Sequence, residues 1–412
     1  MNPEASQTGH ESSQTAFSAH FAHEPEQAKE PAWSNDAERY RSFGQAIEGL
    51  RREAQAKVGT EDLNRIKRFD AFSRMLEAVG RGLIAAGPGV LGFVVGSLAL
   101  AAYKQLQFME IGHTVLHGAF NRVEGAGRYH SKRFRWQVPI DEPSWLRGHN
   151  GRHHGLTNVA GHDADIHFGP IRLTEDTPHR ARNYFQVPFM FLVLFPHFTS
   201  LMNLHFAGVS DAVSGNGRGG FDFLEDDSKT SKRDAYWRAM RKFLPYYARE
   251  YLLAPVLCTL VGALLLGPAA IPLLLLRSLL GTFVSERIRD VYSALTIICG
   301  HVGEETATFP EGTRPACKGE RYAMQVEAAN NYEVSHVLSL LCGALDLQIE
   351  HHLFPTLPTN RLRELAPRVR AAAEAHGIRY RSESWPRTAW KAFVEVHRLS
   401  RPLPGEQHGA SQ

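Results

Sequence analysis

Three stretches of this chain run without a charged residue for a length that a bilayer demands. Residues 82–103 are 22 such positions, 183–210 are a second stretch, and 251–276 a third that resumes after the single Arg277 as far as Ser285. Runs of this kind are membrane candidates. A helix over 251–285 would measure about 52 Å at ~1.5 Å per residue, against a hydrocarbon core of roughly 30 Å. The word "GPAAIP" interrupts it at Gly267 and Pro268, so two spans joined by a tight turn fit better than one. "AAGPGV" breaks the first region in the same way, although its preceding half carries Asp70, Arg74, Glu77 and Arg81. The expected fold is therefore an all-α integral membrane protein built from two transmembrane helical hairpins.

Charge orients the hairpins. Neither Gly-Pro turn holds Lys or Arg, whereas the flanks "RREAQAK", "HSKRFR", "SKRDAYWRAMRK" and "NRLREL" are rich in both, which places the long segments and both termini in the cytoplasm. In a bacterium the membrane would be the inner one. If the run "NYFQVPFMFLVLFPHFTSLMNLHF" also crossed, the last histidines would end on the side opposite the earlier ones, so it is expected as an interfacial or re-entrant helix. A mean hydropathy of -0.28 agrees with a mass lying mostly outside the bilayer.

The net charge of +3 fits neither a nucleic-acid binder nor an acidic solvating protein. Four cysteines, Cys258, Cys299, Cys317 and Cys342, show no paired spacing and indicate no disulfide framework. The N-terminus lacks a basic start followed by an apolar run and is not read as a secretory signal. Residues 1–60 are expected as a disordered polar tail, 61–397 as the membrane domain, and 398–412 as a second disordered tail, because Ser, Gln, Glu and Pro bury too little apolar surface to offset chain ordering.

Of 21 histidines, eight fall in four places: "GHTVLHG" (His113, His117), "GHNGRHHGLTN" (His149, His153, His154), "CGHVGEE" (His301) and "QIEHH" (His351, His352). A spacing of four puts His113 and His117 on one helix face. In the second cluster i and i+4 share a face while i+5 turns away by about 100°, so one helix can address two metals. Gln348, His351 and His352 form a single face. Structural zinc would be saturated by half of these ligands; eight imidazoles suit two metals of the zinc, copper, nickel or iron class. Each cluster lies just beyond a membrane segment, at the cytoplasmic mouth of a pocket open to lipid chains, where an oxygen-activating iron pair has a job. His162, His167, His179, His197, His205 and His336 are read as ordinary core or surface residues, and His10, His20, His23 and His408 as tail residues. Glu110, Asp163, Asp165, Glu304, Glu305 and Glu350 either orient ring nitrogens or are solvated charges.

With these boxes in this order, the sequence resembles the integral-membrane fatty acid desaturases over residues 69–393. "MEIGHTVLHGAF", "WLRGHNGRHHGLTNVAGHDADI", "ICGHVGEE" and "LDLQIEHHLFPTLPTNRL" look like the signature regions of the bacterial acyl-lipid or acyl-CoA branch. The resemblance implies four spans under a cytosolic helical cap. It implies two irons per chain held by His113, His117, His149, His153, His154, His301, His351 and His352, with Gln348 where sister branches have a histidine. It also implies a fatty acyl-CoA or acyl-lipid substrate, dioxygen, and removal of two hydrogens from adjacent methylenes. No acid, base or nucleophile beyond the metal ligands is expected. A His-Pro-Gly-Gly heme word, a G-x-G-x-x-G after a strand and a ferredoxin cysteine pattern are absent from the sequence, so electrons are expected from a separate ferredoxin-type or cytochrome-type donor with its reductase. Arg361, Arg363, Arg368 and Arg370 are a basic face for such a donor or a phosphate-bearing head group, or simply a solvated face beside the membrane. A hydroxylase, epoxidase or decarboxylase on the same scaffold is the rival reading. A metal transporter would place polar residues inside its spans.

Overall fold

The computed structural model describes residues 36–215, 218 and 220–406; the expected tails at 1–35 and 407–412 lie outside the described residues. Between these limits the expected tail boundaries need correction. Helix α1 (Asp36–Lys57) carries Phe43, Ile47, Leu50 and Ala54 at helical spacing, and these side chains are buried against Tyr322, Val326, Leu365 and Val369. Four apolar positions on one face suffice to dock a helix whose overall composition is polar. At the other end Glu406 pairs with buried Arg172 at 2.7 Å, and the carbonyl of Ser400 accepts from His179 at 3.0 Å, so the chain is tied down beyond residue 398.

Two helical hairpins form the apolar body. Helix α2 (Thr60–Ala86) turns at Gly87 and Pro88 into α3 (Gly89–Leu106), and the two cross closely because small residues face each other. A Cβ on Gly96 would sit 2.8 Å from the carbonyl oxygen of Gly80 and 2.7 Å from the amide nitrogen of Ile84. Helix α4 (Lys229–Ala248) passes through a π turn into α5 (Ala254–Leu266), and Gly267 (φ +87) reverses the chain into α6 (Ile271–His301). Arg277 explains its own place in an apolar run: its guanidinium donates to the carbonyls of Ile84 at 2.8 Å and Gly87 at 2.9 Å, the groups that the end of α2 leaves without helical partners. Since Arg277 lies only ~9 Å along α6 from its start at 1.5 Å per residue, both hairpin turns sit at the same end of the bundle.

Among the described residues four stretches are long and apolar enough to cross a membrane by length and composition: Gly89–Leu116, Ala181–Ala207, Lys229–Leu266 and Pro268–His301. Helix α2 is not among them, and the reason is its charges, several of which are paired. Arg81 meets Glu250 at 2.9 Å and Glu77 meets Arg249 at 2.7 Å; beside them buried Lys104 binds Glu250 at 2.5 Å and Glu286 at 3.3 Å, so α2, α3 and α6 and the segment joining α4 to α5 share one ion-pair network. The stretch Ala181–Ala207, expected at the interface, qualifies as a span by length and composition. Its helix is nevertheless broken at Pro196 and His197. Both ends are also held by one short loop, through Asn183 to the carbonyl of Pro170 at 3.0 Å and His205 to that of Ala164 at 3.1 Å.

The remaining chain makes a cap. Helices α7 (Lys318–Glu327), α8 (Gln348–Leu353), α9 (Thr359–Ala375) and α10 (Trp385–Leu399) pack with α1 and with the ends of α3 and α6. A parallel pair of three-residue strands, β1 (Asn331–Glu333) and β2 (Ser382–Ser384), is the sheet found among the described residues. Gly96→Val is expected to destabilise the protein by about 1–3 kcal/mol through overpacking of the α2–α3 crossing. Gly49→Ala, whose added methyl meets nothing within 4 Å, should be neutral or stabilising by up to about 1 kcal/mol. Thermal unfolding of the two variants in the same lipid or detergent checks the contrast.

Candidate metal centre

The histidine words fall where helices change their winding. After α3 the chain continues as a π turn, Gln107–His113, and a short α segment, Thr114–Leu116; Glu142–Trp145 likewise opens into the π-wound Leu146–His153. Such wide turns leave carbonyls loosely bonded, and here the indole Nε1 of Trp136 donates to the carbonyls of Gln107 and Phe108, both at 3.2 Å. Only glycine allows that approach: a Cβ at Gly112 would lie 1.8 Å from the same indole nitrogen.

All eight histidines expected as ligands converge. The Nε2 atoms of His113 and His117 are 3.1 Å apart, those of His113 and His149 3.3 Å, and those of His149 and His154 3.2 Å. His113, His117, His149 and His351 bring one ring nitrogen each within 4.8 Å of one another, and His153, His301 and His352 do the same. His301 Nε2 stands 3.1 Å from that of His352, and Gln348 Nε2 lies 2.6 Å from the first and 3.3 Å from the second. His154 sits between the groups, its ring stacked on His352 at 4.3 Å.

The division within the second box differs from the expectation. The amide of His154 bonds to the carbonyl of His149, five residues back, at 3.0 Å. The winding keeps both near His149: His154 Nε2 lies 3.2 Å from that of His149, while the His153 ring stacks on His149 at 5.0 Å and also joins His301 and His352. A single helix does address two groups, with the register exchanged. The face of Gln348, His351 and His352 also divides, His351 facing His113 and His117 with ring centroids 4.7 and 4.8 Å away, the other two facing His301.

Hydrogen bonds fix which nitrogens are bare. His153 Nδ1 meets Asp163 at 3.0 Å and His149 Nδ1 meets Asp165 at 3.3 Å. His352 Nδ1 lies 3.0 Å from the carbonyl oxygen Oε1 of Gln325, with Thr157 Oγ1 at the same distance. An imidazole that donates from Nδ1 keeps a lone pair on Nε2, so bare nitrogens of His149 and His352 point at other imidazole nitrogens. Burial holds His149, His154, His351 and His352 well below the usual histidine range, in the neutral form that ligates metal. For His153 burial pulls downward too, but the Asp163 and Asp165 carboxylates outweigh it and raise the group to about 9. Gln348 Oε1 and His351 Nε2 are buried without a partner. Converging lone pairs, neutral rings and orphaned acceptors are what bound metal cations would satisfy.

The sequence profile described as fatty acid desaturase matches residues 88–384, well over half of the chain. The chain belongs to the fatty acid desaturase family. The desaturase is 29% identical over 366 residues to the NADPH-dependent stearoyl-CoA 9-desaturase of Mycobacterium tuberculosis (strain ATCC 25618 / H37Rv), a match covering 86% of this chain and 79% of that protein. It is 24% identical over 303 residues to the sn-1 linoleoyl-lipid 6-desaturase of Synechocystis sp., covering 71% and 75%, and 22% identical over 302 residues to that of Arthrospira platensis, covering 72% and 75%. No solved structure matches the desaturase. As its relatives are named desaturases, it is an oxidoreductase.

Of the acids left open by the sequence, Asp163 and Asp165 meet imidazoles. Glu110 is tied to Arg65 at 2.9 Å and Thr359 at 2.7 Å, Glu350 to Asn331 and Tyr380, and Glu305 to Lys391. None of His162, His167, His179, His197, His205 and His336 joins either histidine group. Sequence reasoning missed Thr157 and Gln325 behind His352, and Trp145, stacked on His149 at 4.5 Å; Gln325 bears no spacing relation to a box, while Thr157, four residues after His153, and Trp145, four residues before His149, carried a signal. Asp163→Asn keeps the shape but removes the charge behind His153. It is expected to lower metal affinity about 10–100-fold with the fold retained, as read by metal titration and circular dichroism.

Proposed function

We propose that the protein desaturates a long-chain fatty acyl group, presented as a coenzyme A thioester or a membrane lipid, at two irons held by its histidines. His113, His117, His149, His154 and His351 would hold one, and His153, His301 and His352 the other, with Gln348 beside the second. Iron bound there supplies the oxygen-activating redox chemistry. One dioxygen takes two hydrogens from adjacent methylenes together with two electrons and two protons, leaving a double bond and two waters. The electrons come from a separate redox protein and its reductase.

The observation that carries the reading is the convergence of eight buried imidazoles on a chain of this family. The chain's own residues position and insulate. Asp163, Asp165 and Gln325 lie against the ring nitrogens that face away from the groups, Trp145 covers His149, and burial of the rings keeps bulk water out. An apolar cleft of 430 Å3 lies between the 190–195 segment, α6 and α10, lined by Phe191, Phe195, Leu295, Ile298, Trp390 and Phe393. Ile298 is one helical turn before His301, so an alkyl chain in this cleft runs beside the second group. Both hairpin turns face away from the cytoplasm in this reading, and the histidine groups and termini face it.

Supplied with an acyl substrate, dioxygen, a nicotinamide, and a ferredoxin-type or cytochrome-type donor with its reductase, the protein is expected to give a product about 2 Da lighter than the substrate, and His352→Ala none. Mass spectrometry reads the outcome. A product about 16 Da heavier would replace this reading with a hydroxylase or epoxidase, which adds oxygen at the same site.

A further inference from the structure

The cations expected to greet an electron donor are already engaged. Arg361 pairs with Asp62 at 3.1 Å and Glu364 at 3.0 Å, Arg368 with Glu53 at 2.8 Å, and Arg370 with Glu374 at 2.9 Å, while Arg363 bonds Ser339. A different face carries free charge. Between Gly118 and Arg135 the chain has five cations and one acid, Glu124. Asn121 clasps Ser131 through two bonds of 2.9 Å, which sets Arg122 beside Lys132. Arg122, Lys132, Arg133 and Arg135 are exposed, and among the described residues none of them forms an ion pair; Arg128 alone is anchored, to Asp70.

Two features connect this loop to the histidines. A cleft of 240 Å3, lined by Asn121, Arg122, Gln55 and Thr356, has His117 in its wall. The residue after Arg135 is buried Trp136, whose ring lies 5.0 Å from that of Trp145. Trp145 in turn contacts His149, His117 and His113 at 4.5, 5.3 and 5.7 Å. Electronic coupling falls steeply across gaps between groups, and from Arg135 to three histidines of the first group this route has none.

We propose that the loop 121–135 is the docking surface for an acidic one-electron redox protein and that Trp136 and Trp145 form the packed bridge from it to the first histidine group. The inference rests on the iron reading above. Each transfer oxidises one donor protein by one electron and reduces the iron pair by one; two transfers supply the two electrons of the desaturation. The indoles carry the coupling and are themselves neither oxidised nor reduced. Opposite charge would steer the encounter and make it sensitive to salt.

The probe is an acidic plant-type [2Fe–2S] ferredoxin, and the full-length protein is held in nanodiscs of neutral lipid. Binding is measured without turnover, so its result does not depend on the reaction being assigned correctly. Wild type is expected to bind with an affinity that falls as salt rises, and the triple variant R122E/K132E/R133E to bind about tenfold more weakly or worse at low salt, with an unchanged melting temperature. Equal affinity in the variant overturns the docking surface, as does a loop that binds anionic-lipid nanodiscs and not ferredoxin. For the bridge, oxidation of reduced ferredoxin on mixing with iron-loaded protein is followed at the ferredoxin's own absorbance. Trp136→Leu should slow it without altering affinity, and Trp136→Phe, which keeps an aromatic ring, should slow it less; an unchanged rate in Trp136→Leu overturns the bridge.

Discussion

Imidazole lone pairs that face one another in a buried place repel unless a proton or a metal cation lies between them. Six of the eight rings here are pressed into that arrangement, with Nε2 pairs at 3.1 to 3.3 Å, and Asp163, Asp165 and Gln325 fix the far nitrogens of three of the eight. Leaving buried polar atoms unpaired costs about 1–3 kcal/mol each, so such a cluster persists only if the rest of the fold holds it. The π turns at Gln107–His113 and Leu146–His153, the short helix α8 and the end of α6 all terminate at this one point.

The scaffold answers that demand with rigidity on both sides. Toward the apolar body, Gly80 and Gly96 lock α2 to α3, and the buried ion pairs of Lys104, Glu250, Glu286 and Arg81 tie the first hairpin to the second. Breaking one partner of such a buried pair is far more damaging than the pair is stabilising, so the network fixes how the two hairpins sit against each other. Toward the cap, α1 closes over α7 and α9, where a Cβ on Gly319 would lie 1.6 Å from the carbonyl oxygen of Tyr40. The cap thereby carries α8, and with it His351 and His352, to the ends of α3 and α6.

Much of this was legible in the residues, and the failures share a cause. The Gly-Pro turns at Gly87 and Gly267 and the histidine words could be read because each is a local signal. Register in the second box could not, since spacing assumes 3.6 residues per turn and the π winding is imposed by packing around Trp136, Trp145 and Phe206, whose ring would lie 2.4 Å from a Cβ on Gly148. Helix α1 was hidden because its four core positions are diluted by charge, and the pairing of Arg361 with Asp62 and of Arg368 with Glu53 joins residues some 300 positions apart. Interactions that depend on long-range contact leave no spacing to read.

The claim on which everything else rests is that these imidazoles hold two metal ions. Elemental analysis of protein purified without oxygen tests it most directly. The account predicts about two irons per chain, on the ligand-count argument for imidazole sites. Zinc alone at full occupancy in protein that still desaturates, or a chain that binds no metal at all, would contradict it.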